Sequence, residues 1–375
     1  MVLARIAALV AREATPASLY TMFDAGKPTA SPVDQWNRIG SPLSHLPGGI
    51  PLRRWLLPLY PWAVGHLSRT LASDHARAPI DLLISTSSAA IKGMRTPRRA
   101  SGHPIPHLCY CHSPARYVWS DAMQSEYTSG GRLSSLALRL YAPSFKRWDK
   151  RTASHVTHFI ANSSHTAALI RAAYARDATV IHPPVRTTYF SPDPSVPRTD
   201  TWLVVSALEP YKRVDLAIRA AGLARQRLTI AGNGSMRHSL ESLARDAAPG
   251  LVTFEGRVSD ERLRTLYRSA RLLLFPQIED FGIIACEALS CGTPVVARNA
   301  GGARDILNDP RSATPTGSLF ADPTPEALVE TAKRCPEPSP ETVAACAVSA
   351  SRFSEQRFDD AFREQIRSQL RSRLP

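Results

Sequence analysis

Glu279 and Glu287 stand on either side of a glycine in Gln277-Ile278-Glu279-Asp280-Phe281-Gly282-Ile283-Ile284-Ala285-Cys286-Glu287-Ala288-Leu289. Ionised carboxylates only accept hydrogen bonds, so two of them around a strand-to-helix turn suit a ligand that presents hydroxyls, as sugar-nucleotide chemistry requires. Arg271-Leu272-Leu273-Leu274-Phe275-Pro276 reads as a buried parallel strand, and Phe281 to Leu289 has the periodicity of a buried helix. The first carboxylate therefore falls in the loop at the strand's C-terminal end, where open α/β sheets bind ligands, and the second lies inside the helix. Gly282 lets the backbone approach a ligand closely, and free N–H groups at the helix start suit sugar hydroxyls or phosphate oxygens. Two acids at this spacing are common in ordinary α/β turns, so the pair needs supporting features.

Such features recur along the second half. Ser206-Ala207-Leu208-Glu209-Pro210-Tyr211-Lys212-Arg213-Val214-Asp215 joins a strand to a helix and places two cations at the helix start. Cations are disfavoured at that dipole end unless an anion is near. Ala231-Gly232-Asn233-Gly234-Ser235 is a G-x-G turn between a strand and a helix, a weak signal alone. Phe254-Glu255-Gly256-Arg257-Val258-Ser259-Asp260 leads into a helix capped by Ser259, and Asn299-Ala300-Gly301-Gly302 offers two further glycines. In the first half, Cys109-Tyr110-Cys111-His112-Ser113-Pro114-Ala115-Arg116-Tyr117-Val118-Trp119 follows a strand.

The elements that must position these residues alternate. Strands are expected at 202–206, 227–231, 251–254, 271–275 and 293–297, with helices at 213–224, 235–246, 259–269, 282–291, 302–307 and 325–334, which describes a doubly wound parallel sheet. Residues 183–201 hold five prolines and read as a linker. Before it, strands are expected near 81–85, 106–110, 156–161 and 178–181, so the chain divides into a first domain, 1–182, and a second, 202–350. Residues 353–370 form an amphipathic helix within a terminal segment, 351–375. Doubly wound domains normally open with a strand and a Gly-rich turn, whereas this chain opens in a helix with Leu3, Ile6 and Val10 on one face. The expectation is a reading frame that extends upstream by one apolar strand.

The constellation resembles the family 4 retaining glycosyltransferases, which have the GT-B fold of two Rossmann-like domains facing a cleft. That resemblance implies that Glu279 holds the donor sugar and Glu287 the ribose. It implies that Lys212, supported by Arg213, meets the donor diphosphate, although Ala207 stands where relatives often place Arg. Gly232, Gly234, Phe281, Gly282 and Ile283 would bring backbone near the donor, and the Arg257-Val258 peptide would face the base. His-Ser-Pro-x-Arg-x-x-Trp at 112–119 narrows the resemblance to bacterial mannosyltransferases of O-antigen and exopolysaccharide synthesis, with His112 facing the donor sugar and Arg116 meeting phosphate. Ile84 to Gly93, Leu57-Pro58-Leu59-Tyr60-Pro61 and Ile160-Ala161-Asn162-Ser163-Ser164 fit the same group. The terminal helix would cross back onto the first domain; capping the second sheet is its other reading.

Composition sets the frame. The 375 residues are 43% hydrophobic, enough for two full cores. No run of about 18 apolar residues or signal-peptide pattern occurs, so a cytoplasmic protein is expected. Of the net charge of +14, residues 1–190 carry +13 (22 Lys and Arg against 9 Asp and Glu), a surface that attracts phosphate or an anionic bilayer. No nucleic-acid-binding motif accompanies it. Arg132, Arg139, Lys146 and Lys150 recur at near-helical spacing, as a solvated stripe or a membrane-surface face. The six cysteines suggest reduced thiols. His103, His107, Cys109, Cys111 and His112 match no common zinc spacing, and neither metal nor cofactor is expected. The expected activity is retaining transfer of a hexose, mannose from GDP-mannose, to a polyprenyl-diphosphate-linked saccharide at the inner membrane face. A nucleotide-sugar epimerase or hydrolase, and a non-catalytic nucleotide-sugar-binding protein, remain alternatives.

Overall fold

The computed structural model describes residues 2–13, 17–26, 32–46, 49, 53, 55–87, 89–119, 132–308 and 314–371, and only the backbone of residues 117 and 132–139. The chain forms two compact units, one of Met1–His182 with Phe358–Pro375 and the other of Pro183–Arg357.

In the first unit, helix α1 (Val2–Glu13) precedes a parallel pair, β1 (Ser18–Thr21) and β2 (Asn37–Gly40), and helix α2 (Tyr60–Arg77) follows. A second parallel sheet takes β3 (Leu83–Ser87), β4 (His107–Cys111), β5 (His158–Ala161) and β6 (Ala178–Val180) in that order, with α3 (Arg116–Trp119), α4 (Arg132–Thr152) and α5 (Ser164–Tyr174) between. All five residues of β4 are buried, as a strand covered on both faces requires. Leu108 and Tyr110 face a cluster with Val2, Ile6 and Leu9 of α1, while Cys109 and Cys111 face one with Phe159 and Tyr174. The buried stripe of α1 thus runs through Val2, Ile6 and Leu9, steps of four and three residues, and the expected Leu3 and Val10 are only half-buried at its margins. The terminal helix Glu355–Arg371 puts Phe358, Phe362 and Ile366 into the same cluster. Arg5 grips the buried Asp359 through Nε and Nη2, each at 2.6 Å.

In the second unit, β7 (Thr201–Val205), β8 (Arg227–Ala231), β9 (Val252–Gly256), β10 (Leu272–Phe275), β11 (Val295–Arg298) and β12 (Gly317–Phe320) form one parallel sheet in the order β12-β11-β10-β7-β8-β9. The chain builds outward from β7 to β9, then returns to lay β10 on the other side of β7. Helices α6 (Val214–Ala224), α7 (Arg237–Ala247), α8 (Asp260–Ser269), α9 (Ile283–Ser290), α10 (Ala303–Leu307), α11 (Pro325–Arg334) and α12 (Pro340–Ser351) cover both faces. Trp202 and Val204 enter the core cluster on one face and Leu203 that on the other, so a continuous apolar run is what this strand needs. Ser259, Thr324 and Ser339 cap their helices through side-chain oxygens.

Residues 183–201 are not a loose linker. Val185 and Phe190 are fully buried in the second unit's core, Val185 N–H donates to Phe353 O at 2.9 Å, and the segment packs as a strap. Prolines suit this, since they hold an extended path without an N–H that would need a partner. Strands β1, β2 and β12 and helices α2, α3, α5 and α12 are not among the elements expected from the sequence. The first three are four-residue strands mostly half-buried, and α12 is built of Ala, Val, Ser and Cys with little contrast between its faces.

Candidate functional site

The strand order reverses between β7 and β10, and doubly wound sheets bind ligands beyond the C-terminal ends of the strands at such a point. Lys212 ends a short 3-10 turn, Pro210–Lys212, in the loop after β7, and Glu279 lies in the loop after β10. Across that point Lys212 Nζ and Glu279 Oε1 form an ion pair, with the two side chains 11% and 22% exposed. Arg213 caps α6 from a left-handed conformation, φ +50°, and its guanidinium donates to the Asp215 carboxylate at 3.1 and 3.3 Å. The two adjacent cations therefore have different partners: Lys212 faces the site's carboxylate, and Arg213 faces its own helix.

The glycines around these loops have a reason within the protein. A Cβ on Gly232, which has φ +139°, would lie 1.8 Å from Ser206 O, so the loop after β8 can close on the loop after β7 only with glycine. Glu209 holds that turn by accepting from Ser235 N and Ser235 Oγ at 3.1 and 2.6 Å. A Cβ on Gly302 would lie 2.3 Å from Phe281 Cα, and Gly302 N–H donates to Glu279 O at 2.9 Å. The glycine loop after β11 thus props the backbone carrying Glu279.

Gly282 precedes α9, and Ile283 is half-buried at its start. The Phe281 ring is 4% exposed and packs on Phe353 at 5.3 Å, so its side chain serves the core rather than a ligand. Arg257 is exposed and Val258 half-buried in the loop between β9 and α8, at the same sheet edge. Glu287, one turn into α9, is 6% exposed, and Tyr267 OH of α8 donates to its Oε2 at 3.1 Å. Burial pushes the Glu287 carboxyl up to about 7, against the pull of the Tyr267 hydrogen bond and the Arg186 charge. Arg186 itself donates to Asp260 Oδ2 at 2.8 Å.

In the first unit, His112 follows β4. Its N–H donates to Ser87 O at 2.8 Å, and its carbonyl accepts from Asn162 Nδ2 at 3.0 Å. The segments 84–93, 112–119 and 160–164 therefore meet at the ends of three neighbouring strands, and Asn162 acts on the backbone of His112. Burial, aided by the Arg116 charge, lowers the His112 imidazole to about 4, so the ring is neutral near pH 7. Arg116 and Trp119 lie on α3, and Trp119 Nε1 donates to the buried Asp149 at 2.8 Å. Among the described residues no three His, Cys, Asp or Glu gather as metal ligands, and His107 bonds Ser85 Oγ at 2.8 Å. All six cysteines are buried. The side chains of Arg132 and Arg139 lie outside the described residues. Among the described residues no helix is long and apolar enough to cross a membrane.

Sequence reasoning missed Tyr267, Arg186 and Asp149. Tyr267 falls on the apolar face of α8 like any core residue, and only the fold brings it to Glu287.

Two family models meet near the strap: Glycosyltransferase Family 4 over residues 7–189 and Glycosyl transferases group 1 over residues 186–342. The D-inositol 3-phosphate glycosyltransferase of Mycolicibacterium paratuberculosis is 32% identical over 210 residues, covering 51% of this chain and 47% of that relative. The chain thus spans less than half the length of this curated relative. Among solved structures, sucrose-phosphate synthase from Thermosynechococcus elongatus superposes with a TM-score of 0.71 at 17% identity, over 98% of this chain and 92% of that one. Anabaena HepE in complex with UDP and glucose superposes with a TM-score of 0.64 at 18% identity, over 97% and 96%. The chain thus has the GT-B fold of two parallel α/β units, its first half matching the family 4 glycosyltransferases and its second half the group 1 glycosyl transferases.

Proposed function

We propose that the protein transfers a hexose with retention, mannose from GDP-mannose, onto a polyprenyl-diphosphate-linked saccharide in cell-surface polysaccharide synthesis. The observation that carries this reading is the Lys212–Glu279 pair across the sheet's switch point. A nucleoside diphosphate sugar carries a complement for each partner, an anion for Lys212 and hydroxyls for Glu279. Donor binding replaces the internal pair with two external ones. Arg213 supports the diphosphate on exchanging Asp215 for it, and Glu287 accepts from the ribose.

In the chemical step the bond from the anomeric carbon to the diphosphate oxygen breaks, and a bond to an acceptor hydroxyl forms on the same face. The acceptor proton passes to the leaving phosphate oxygen. Lys212 stabilises the charge that develops on that oxygen, and Glu279 holds the sugar in place. His112, uncharged near pH 7, suits the sugar as a neutral hydrogen-bonding ring, and Arg116 suits a phosphate. The cations supply what a metal would supply elsewhere, so transfer should persist in EDTA. The mannosyl reading rests on the 112–119 motif, and the excess of +13 over residues 1–190 supports contact with an anionic membrane from the cytoplasmic side.

The test is a panel of nucleotide sugars, GDP-mannose and UDP-glucose included, scored for protection against thermal unfolding and for sugar transferred to a lipid-linked acceptor with EDTA present. A ligand at 100 times its dissociation constant adds about 2.7 kcal/mol of stability. Protection and transfer with GDP-mannose are expected. Protection by UDP-sugars alone would replace the donor, and binding without transfer to any acceptor would favour a binding protein.

A further inference from the structure

Glu287 is a buried carboxylate with one donor identified, the Tyr267 phenol on its Oε2. Tyr267 is itself fully buried, its ring held edge-on to Phe190 at 5.7 Å, so the donor is fixed in place. A carboxylate with one oxygen occupied by a rigid donor cannot turn freely, and its other oxygen remains an acceptor. We infer that Tyr267 is a positioning residue for nucleotide binding: its fixed hydrogen bond to Oε2 orients the Glu287 carboxylate so that the other oxygen can accept from a nucleoside diphosphate. The inference rests on the proposed ribose role of Glu287 and adds to it the group that makes that role possible.

The surroundings of Glu287 make that acceptance depend on pH. Asp260, also on α8, opposes ionisation, while Arg186 from the strap favours it. Arg264 and Arg268 of α8 donate elsewhere, to Tyr189 O and to Asp193. The neighbouring thiols are Cys286 and Cys291 beside it and Cys346 on α12, which packs on α9; burial raises all three, so they are neutral. Ribose hydroxyls donate better to the carboxylate than to the acid. The ligand therefore takes the ionised form, and affinity falls as pH drops through about 7, approaching tenfold per pH unit. The Tyr267 bond favours the ionised form, so its loss moves this fall to higher pH.

The experiment is calorimetric titration of GDP and UDP from pH 6 to 9 into the wild type, Tyr267→Phe and Glu287→Gln. The wild type should weaken several-fold between pH 8 and pH 6, Tyr267→Phe should bind more weakly with its fall displaced upward, and Glu287→Gln should bind weakly at every pH. A Tyr267→Phe profile that superposes on the wild type overturns the inference. Undiminished binding by Glu287→Gln instead removes the ribose role, and the inference with it. Should Tyr267→Phe not fold, the Tyr267→Phe/Glu287→Gln double variant decides. Its folding ties the phenol to the carboxylate, and its failure to fold leaves Tyr267 a packing residue and overturns the inference.

Discussion

Each unit carries a lysine in a 3-10 turn, Lys92 in Ile91–Gly93 and Lys212 in Pro210–Lys212, paired with a carboxylate remote in sequence. Their environments differ. Lys92 and Asp149 are 1% and 0% exposed, Lys92 Nζ lies 2.9 Å from Asp149 Oδ1 and donates to Asp149 O at 2.7 Å, and Tyr174 OH joins Trp119 on Oδ2 at 2.8 Å. That network ties the turn after β3 to α3, α4 and α5, and nothing can enter it. The Lys212–Glu279 pair stands partly exposed at a sheet's switch point, where a ligand can take each partner. Solvent access separates a strut from a site, because a buried charge left unpaired has no water to fall back on. Trp119, the end of the 112–119 motif, serves the strut, and its use is to hold the short helix that bears Arg116.

Breaking the strut should give the largest effect. Asp149→Ala should cost about 3–5 kcal/mol of unfolding free energy in a urea titration, since it strands Lys92 in the core. A loss below about 1 kcal/mol would mean that the buried pair is no more structural than a surface one.

Glu287 offers a test within the second unit. Its carboxyl is raised from an ordinary 4.5 to about 7, so its contribution to stability is fully present below pH 4.5 and is lost as pH rises through about 7. Glu287→Gln escapes that loss. Relative to its difference from the wild type at acid pH, the ligand-free variant should gain up to about 3 kcal/mol by pH 9. A pH-independent difference would show that Glu287 is not held against its ionisation.

Lys212→Ala should separate site from strut. Affinity for a nucleoside diphosphate should fall by about 1.5–3 kcal/mol, the worth of a charge-assisted hydrogen bond, while unfolding free energy changes by less than about 1 kcal/mol. Unchanged affinity would remove Lys212 from the diphosphate.

Much of this was legible in the sequence because parallel strands covered on both faces leave continuous apolar runs. Trp202 to Val205 and Leu272 to Phe275 are such runs, and the loops after them carry Lys212 and Glu279. Local rules could not reach what depends on distant partners. The Pro-rich strap looks like a linker until Val185 and Phe190 are seen in a core, and Gly302 looks ligand-directed until it is seen against Phe281. The Asp149 and Tyr267 side chains are ordinary in sequence and gain meaning only from Trp119 and Glu287.

The central claim is that Lys212 exchanges Glu279 for the donor's diphosphate. The direct measurement is the dissociation constants of GDP and UDP, together with the transfer rate, for Glu279→Ala beside the wild type. Removing Glu279 frees Lys212 from its internal partner, so nucleoside diphosphate binding should be equal or tighter, while transfer is lost and the fold persists. Weakened diphosphate binding, or transfer at a near-normal rate, would contradict the account.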